Sequence, residues 1–201
     1  MENSYCTLSD SSEGSYREKG SKFYAFAYPV VSEEEVQARL DELRKKFYDA
    51  RHHCYAFILK PQEGQEETYR ASDDGEPSHT AGNPILGQIR SHQLLDVLIV
   101  VVRYFGGTKL GVPGLIQAYK TAAADAIANN SITKKYVEQS ITIEFEYAAT
   151  AGVTRIIDQY SLTILEQAFG ETCQYQLSVR LRDYPNMLSL LSDLEQVTVK
   201  H

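Results

Sequence analysis

No stretch of this 201-residue sequence approaches the roughly 20 apolar residues of a membrane-spanning helix, so no membrane partner is expected. The opening MENSYCTLSDSSEG lacks the basic start and apolar run of a signal peptide. Cysteine is scarce: Cys6, Cys54 and Cys173 are odd in number and far apart, which excludes a disulfide framework and suits a reducing cytoplasm. No C-x-x-C pair is present to build a zinc site. Neither G-x-x-x-x-G-K-[ST] nor G-x-G-x-x-G occurs, so nucleotide hydrolysis is unsupported and no cofactor is expected. Internal repeats and low-complexity tracts are absent. The net charge of −7 excludes a generic nucleic-acid coat.

What is present reads as globular. The chain is 43% apolar and 23% charged, and its length suits one large domain or two small ones. Charge is uneven: residues 136–201 hold 4 Lys/Arg against 9 Asp/Glu, and residues 1–135 hold 16 against 18. Between Asn83 and Lys120, four cations (Arg90, Arg103, Lys109, Lys120) face only Asp96. An anionic partner would be met there.

SKFYAFAYPV alternates like a strand, and Ser32 with Glu35 forms a capping box ahead of a helix lined by Val36, Leu40, Leu43 and Phe47. HHCYAFILK reads as a buried strand ended by Pro61 and the polar PQEGQEET. Asn83 and Pro84 look like the N-cap and first position of a short helix through about His92. DVLIVVVRYF is a continuous apolar run suited to a central strand. A helix LIQAYKTAAADAIANN follows, with Leu115, Tyr119, Ala122 and Ala126 on one face. From Tyr136 the pattern becomes strand, helix, two strands meeting at Gly170-Glu171, helix, strand. The fold class expected is α+β in two domains, residues 1–135 and 136–201, the second a ferredoxin-like β-α-β-β-α-β unit.

Two segments carry possible chemistry. YRASDDGEPSHTAGNPIL brings Asp73, Asp74, Glu76 and His79 within seven residues, punctuated by Gly75 and Pro77. Hard cations take such oxygens, but the spacing is not a calcium loop, and one cluster supplies no nucleophile. The plainer reading is a stiff loop whose Asp73, Ser78 and Thr80 bond nearby amides, or one that binds a partner. RYFGGTKLGVPGL lies between a strand and a helix, a common anion site, with Gly106, Gly107 and Gly111 admitting a phosphate and Lys109 adding charge. Alternatively it is a tight connection, with Arg103 paired to Asp73 or Asp74. In RHHCYAF, His52 and Cys54 share a strand face and His53 points away, so Cys54 reads as core. Nothing predicts that it meets His79 as a nucleophilic pair.

KGSKF, HHCYAF, SDDGEPSHTAGNPIL and VVRYFGGTKLGVPGLIQAY, in that order, resemble the IMPACT/YigZ family over residues 15–125. The chain looks like a bacterial member without the N-terminal RWD domain of eukaryotic ones. The resemblance implies a first domain similar to a ribosomal small-subunit protein domain and elongation factor G domain IV, and a second similar to elongation factor G domain V. Eukaryotic relatives regulate translation by competing for the activator of an amino-acid-starvation kinase. Bacteria lack that pathway, so only a translation or RNA connection carries over. His79, Pro113 and Gln117 depart from the family pattern DDGEPSGTAG and LGxGGLxRAY. Gln117 removes a cation, which His79 partly restores at slightly acidic pH.

The function expected is a non-enzymatic, translation-associated regulator binding RNA or the ribosome. Arg103, Lys109, Gly111 and the amides near Gly106 and Gly107 would hold phosphate, and Tyr104 would stack on a base. Asp73, Asp74, Glu76, Ser78, His79 and Thr80 form the adjoining binding loop. The alternatives are a metal-dependent hydrolase on Asp73, Asp74, Glu76 and His79, and a protein-interaction adaptor. The residues do not specify an oligomeric state.

Overall fold

A computed structural model of the chain describes residues 4–61 and 66–200. Two compact units emerge: residues 6–134, and residues 135–200 with Ser4 and Tyr5. The first contains most of β1 (Ser4–Leu8), β2 (Ser12–Glu18), β3 (Ser21–Pro29), α1 (Glu33–Lys46), β4 (His52–Leu59), β5 (Thr68–Ser72), α2 (Gly82–Ser91), β6 (Val97–Tyr104), α3 (Gly111–Ala128) and most of β7 (Ile132–Tyr136). β1 and β7 form a two-stranded ribbon, and the other five strands make an antiparallel sheet ordered β2-β3-β6-β4-β5.

Central β6 is apolar on both sides because both of its faces are covered. Ile99 and Val101 enter a core with α2 and α3, while Leu98, Val100 and Val102 enter a second core with α1. The alternation in β3 likewise feeds both cores, Phe23 and Ala25 into one and Phe26 into the other. α1 starts at the Ser32 cap, whose side chain accepts the Glu35 amide, while Glu35 Oε2 accepts the amide of Val31 rather than that of Ser32. The polar segment after Pro61 includes residues 62–65, which lie outside the described residues.

Several elements differ from expectation. α2 begins at Gly82 with Ala81 as N-cap, ahead of Asn83 and Pro84. α3 begins at Gly111, four residues before Leu115, because Pro113 lies in a first turn where no intrahelical donor is required. The sequence did not announce β1, β2, β5 or β7. Lys19 (φ 46°) and Gly20 (φ 82°) form the two-residue turn joining β2 to β3, as a primed hairpin requires. Against that turn lies Gly106, where an added Cβ would sit 1.9 Å from the Gly20 carbonyl carbon. KGSKF and FGG are therefore two sides of one close backbone contact.

The second unit contains β8 (Glu138–Phe145), α4 (Thr150–Tyr160) after a short 3-10 turn, β9 (Thr163–Phe169), β10 (Cys173–Arg180), α5 (Tyr184–Ser192) and β11 (Val197–Lys200). Its antiparallel sheet runs β11-β8-β10-β9, so the element order is the β-α-β-β-α-β read from the sequence. Ile141, Ile143, Phe145, Leu177 and Val179 pack with Val153, Met187 and Leu191 of the two helices. Edge strand β9 is exposed along its whole length. Among the described residues, no helix is long and apolar enough to cross a membrane.

Candidate functional site

Antiparallel pairing brings three strand ends together. His52 at the start of β4 lies opposite Arg103 near the end of β6, and Lys22 at the start of β3 lies opposite Tyr104. Here a cleft of about 670 Å³ opens, lined among others by Arg51, His52, Glu76, Arg103, Tyr104, Phe105, Lys109, Gly111 and Val112. A second groove beside it is lined by Lys22, Tyr24 and Phe47, with Asp49, Tyr104 and Phe105 shared between the two.

The loop carboxylates each have a separate task. Asp73 Oδ1 accepts the amides of Ala81 (2.9 Å) and Gly82 (2.8 Å), and Oδ2 accepts that of His79 (2.7 Å). It thereby caps α2 from outside the helix, the role Asn83 was expected to play. Desolvation raises its pKa, but the three amide bonds outweigh that and hold it below the usual carboxylate value. Asp74, at φ 39°, accepts the His53 amide at 2.6 Å, and its carbonyl meets His52 Nδ1 at 2.9 Å. A carbonyl only accepts, so that ring nitrogen carries the proton.

Glu76 turns the other way. Its Oε1 accepts from Arg103 Nη1 at 2.5 Å and from the Tyr119 hydroxyl at 2.8 Å. Glu76 and Arg103 side chains are only 4% and 7% exposed, so this is a buried ion pair. The partner expected for Arg103 was Asp73 or Asp74; it is Glu76, because positive φ at Asp74 and Gly75 reverses the chain between them. The link between the two unusual segments exists, made by a different carboxylate. The Arg103 guanidinium also lies 5.4 Å from the Phe23 ring and 5.6 Å from the Phe105 ring.

The other candidates divide between the cleft and its surroundings. Lys109 and Gly111 line the cleft, as does Tyr104, whose hydroxyl donates to Asp49 Oδ1 at 2.7 Å. That bond, followed by desolvation, pushes its pKa up to about 12. The Gly106 amide donates to Ser21 Oγ (3.1 Å) and is not free for a phosphate, whereas Gly107 (φ 87°) is exposed. Thr80 is buried and donates to the Pro77 carbonyl at 2.7 Å, a structural bond. Ser78 and His79 are exposed, and His79 Nδ1 meets Asn83 Nδ2 at 2.9 Å.

Cys54 is fully buried, donating to the Asp73 carbonyl at 2.9 Å and lying 3.3 Å from the Tyr119 hydroxyl. Burial pushes its thiol pKa well above normal, so it is an inert core thiol rather than the partner of His79. Among the described residues, no three His, Cys, Asp or Glu side chains gather to hold a metal. Asp73, Asp74, Glu76 and His79 each meet different partners: the His79, Ala81 and Gly82 amides, the His53 amide, Arg103 with Tyr119, and Asn83.

The two helix N-termini at this end differ. That of α2 is filled by Asp73, but α3 has no side-chain cap, and exposed Gly111 and Val112 open it to the cleft beside Lys109. Sequence reasoning missed Arg51, His52, Asp49 and Tyr119 as neighbours of the site. The available signal was antiparallel register, which places the residues before HHCYAF against the end of VVRYF.

Residues 19–127 match the family model described as the Impact N-terminal domain. The chain is 32% identical to IMPACT family member YigZ of Escherichia coli, over 82% of this chain and 77% of that protein. It is 46% identical to an IMPACT family member of Thermus thermophilus, over 67% of this chain and 72% of that protein. A crystal structure of a protein described only as hypothetical aligns with a TM-score of 0.75 at 26% identity, over 99% of this chain and 97% of that one. This α+β protein, with its cleft at one sheet end, belongs to the IMPACT family. Every candidate site residue falls inside the matched domain.

Proposed function

We propose that this chain is a non-enzymatic regulator associated with translation, acting in the cytoplasm and contacting RNA or the ribosome through residues 1–135. The observation that carries the reading is the cleft. In a chain of net charge −7 it gathers Arg51, Lys109 and an uncapped helix N-terminus beside exposed Phe105 and half-buried Tyr104. Cations and helix amides hold phosphates, and aromatic faces stack single-stranded bases. Arg103, neutralised by Glu76, acts as a positioning residue in this reading, and phosphate contact passes to Lys109 and Arg51.

Kinship of the first domain to elongation factor G domain IV, and of a ferredoxin-like second domain (136–201) to domain V, is part of the same proposal. The strand order β11-β8-β10-β9 supports the second half of it. A protein partner is a second reading, favoured by edge strand β9, where Ile164, Leu165 and Phe169 are exposed.

The test is co-sedimentation with bacterial ribosomes across a salt series, with and without nuclease. Salt-sensitive pelleting, abolished by nuclease and weakened in Arg51→Glu, is the expected outcome. No pelleting at low salt contradicts ribosome association.

A further inference from the structure

The cleft lining carries charge of both signs. Arg51, Lys109 and the open α3 N-terminus stand with Asp49 and Glu76, and Glu76 is 4% exposed and paired with Arg103. The cations suit an anion, and a Glu76 oxygen left free by the ion pair suits hydrogen-bond donors. A nucleotide carries both, a phosphate at one end and a base at the other. A volume of about 670 Å³ is in the range of small-molecule pockets.

The hydrogen-bond inventory narrows the base. Both donors that meet Glu76, Arg103 Nη1 and the Tyr119 hydroxyl, fall on Oε1. Oε2 accepts nothing further among the described residues, and a carboxylate oxygen has two lone pairs to offer. Two acceptor positions beside a guanidinium match two adjacent N–H groups beside a carbonyl. Of the four RNA bases only guanine presents that edge, N1–H and N2–H₂ next to O6. Adenine and cytosine bring a single amino group, and uracil a single imide.

We infer that Glu76 is a base-reading residue and that the cleft selects a guanine carried on a phosphate. The base stacks against Phe105, and its phosphate lies at Lys109, Arg51 and the Gly111 and Val112 amides. This deepens the RNA-binding reading and rests on it for the strand, while the guanine contact itself is independent of strand length.

The test varies the ligand, because substituting Glu76 would expose a buried Arg103 and threaten the fold. Binding of the full chain is measured by calorimetry for 5′-GMP, 5′-IMP and 5′-AMP, and by fluorescence anisotropy for oligouridylate carrying one central guanosine, inosine or uridine. Guanosine should bind about tenfold more tightly than inosine, which lacks the 2-amino group, in both formats. Val112→Phe, a substitution at an exposed position of the cleft wall, should abolish the difference. Equal affinity for all three oligonucleotides, with no binding of GMP, overturns the guanine assignment and leaves RNA binding standing. Binding of GMP without any oligonucleotide keeps the guanine site and removes the RNA reading. No binding of any ligand overturns both.

Discussion

Replacing Asp73 with alanine leaves the amides of His79, Ala81 and Gly82 without their acceptor, at the start of a helix whose own N-cap, Ala81, offers no side-chain bond. The expected cost is about 1–2 kcal/mol in denaturant unfolding. Because the folded-state pKa of Asp73 is depressed, its contribution is fully present above the unfolded value near pH 4 and is lost as pH falls through the folded value. Asp73→Asn, which cannot titrate, should therefore lose less stability than the wild type between about pH 4 and pH 2. Glu76→Ala acts differently: it strands Arg103, 7% exposed, without its counter-charge, and should destabilise by about 3–5 kcal/mol in the same assay. That the two carboxylates would divide their work was not legible from their spacing. Asp73 and Glu76 are neighbours along the chain, but the left-handed residues Asp74 and Gly75 send one toward α2 and the other toward β6 and α3. Backbone handedness at a non-glycine residue leaves little mark on composition or periodicity.

Elements were legible where burial is one-sided or complete. β6 showed itself as a continuous apolar run because cores cover both its faces, and α1 through its capping box and stripe. β2 (SEGSYRE) did not, because what holds it is outside it: pairing to β3, and a helix so close that a Cβ on Gly14 would lie 2.2 Å from the Ala126 nitrogen. The N-terminus of α3 was hidden by Gly111 and Pro113, residues that usually mark a loop but are tolerated in a first turn. The Gly20–Gly106 contact belongs to this scale too. Gly106→Ala places a Cβ 1.9 Å from backbone that cannot move aside like a flexible side chain. It should cost about 1–3 kcal/mol, read as a lowered melting temperature, and should disturb the neighbouring cleft.

Over the whole chain the charge is negative, and residues 136–201 contribute more than their share of it. Like-charge repulsion of nucleic acid therefore opposes binding everywhere except where cations are gathered. In the proposed function, an RNA phosphate is met in the cleft between the strand ends of β3, β4 and β6, with Lys109 among its contacts. That contact is tested by the affinity of the wild type and of Lys109→Glu for a short single-stranded RNA across a salt series, by fluorescence anisotropy. The wild type should weaken linearly in log–log form. Lys109→Glu should bind more weakly, with a salt slope shallower by about one. An affinity and a slope unchanged by the substitution would contradict phosphate binding in the cleft.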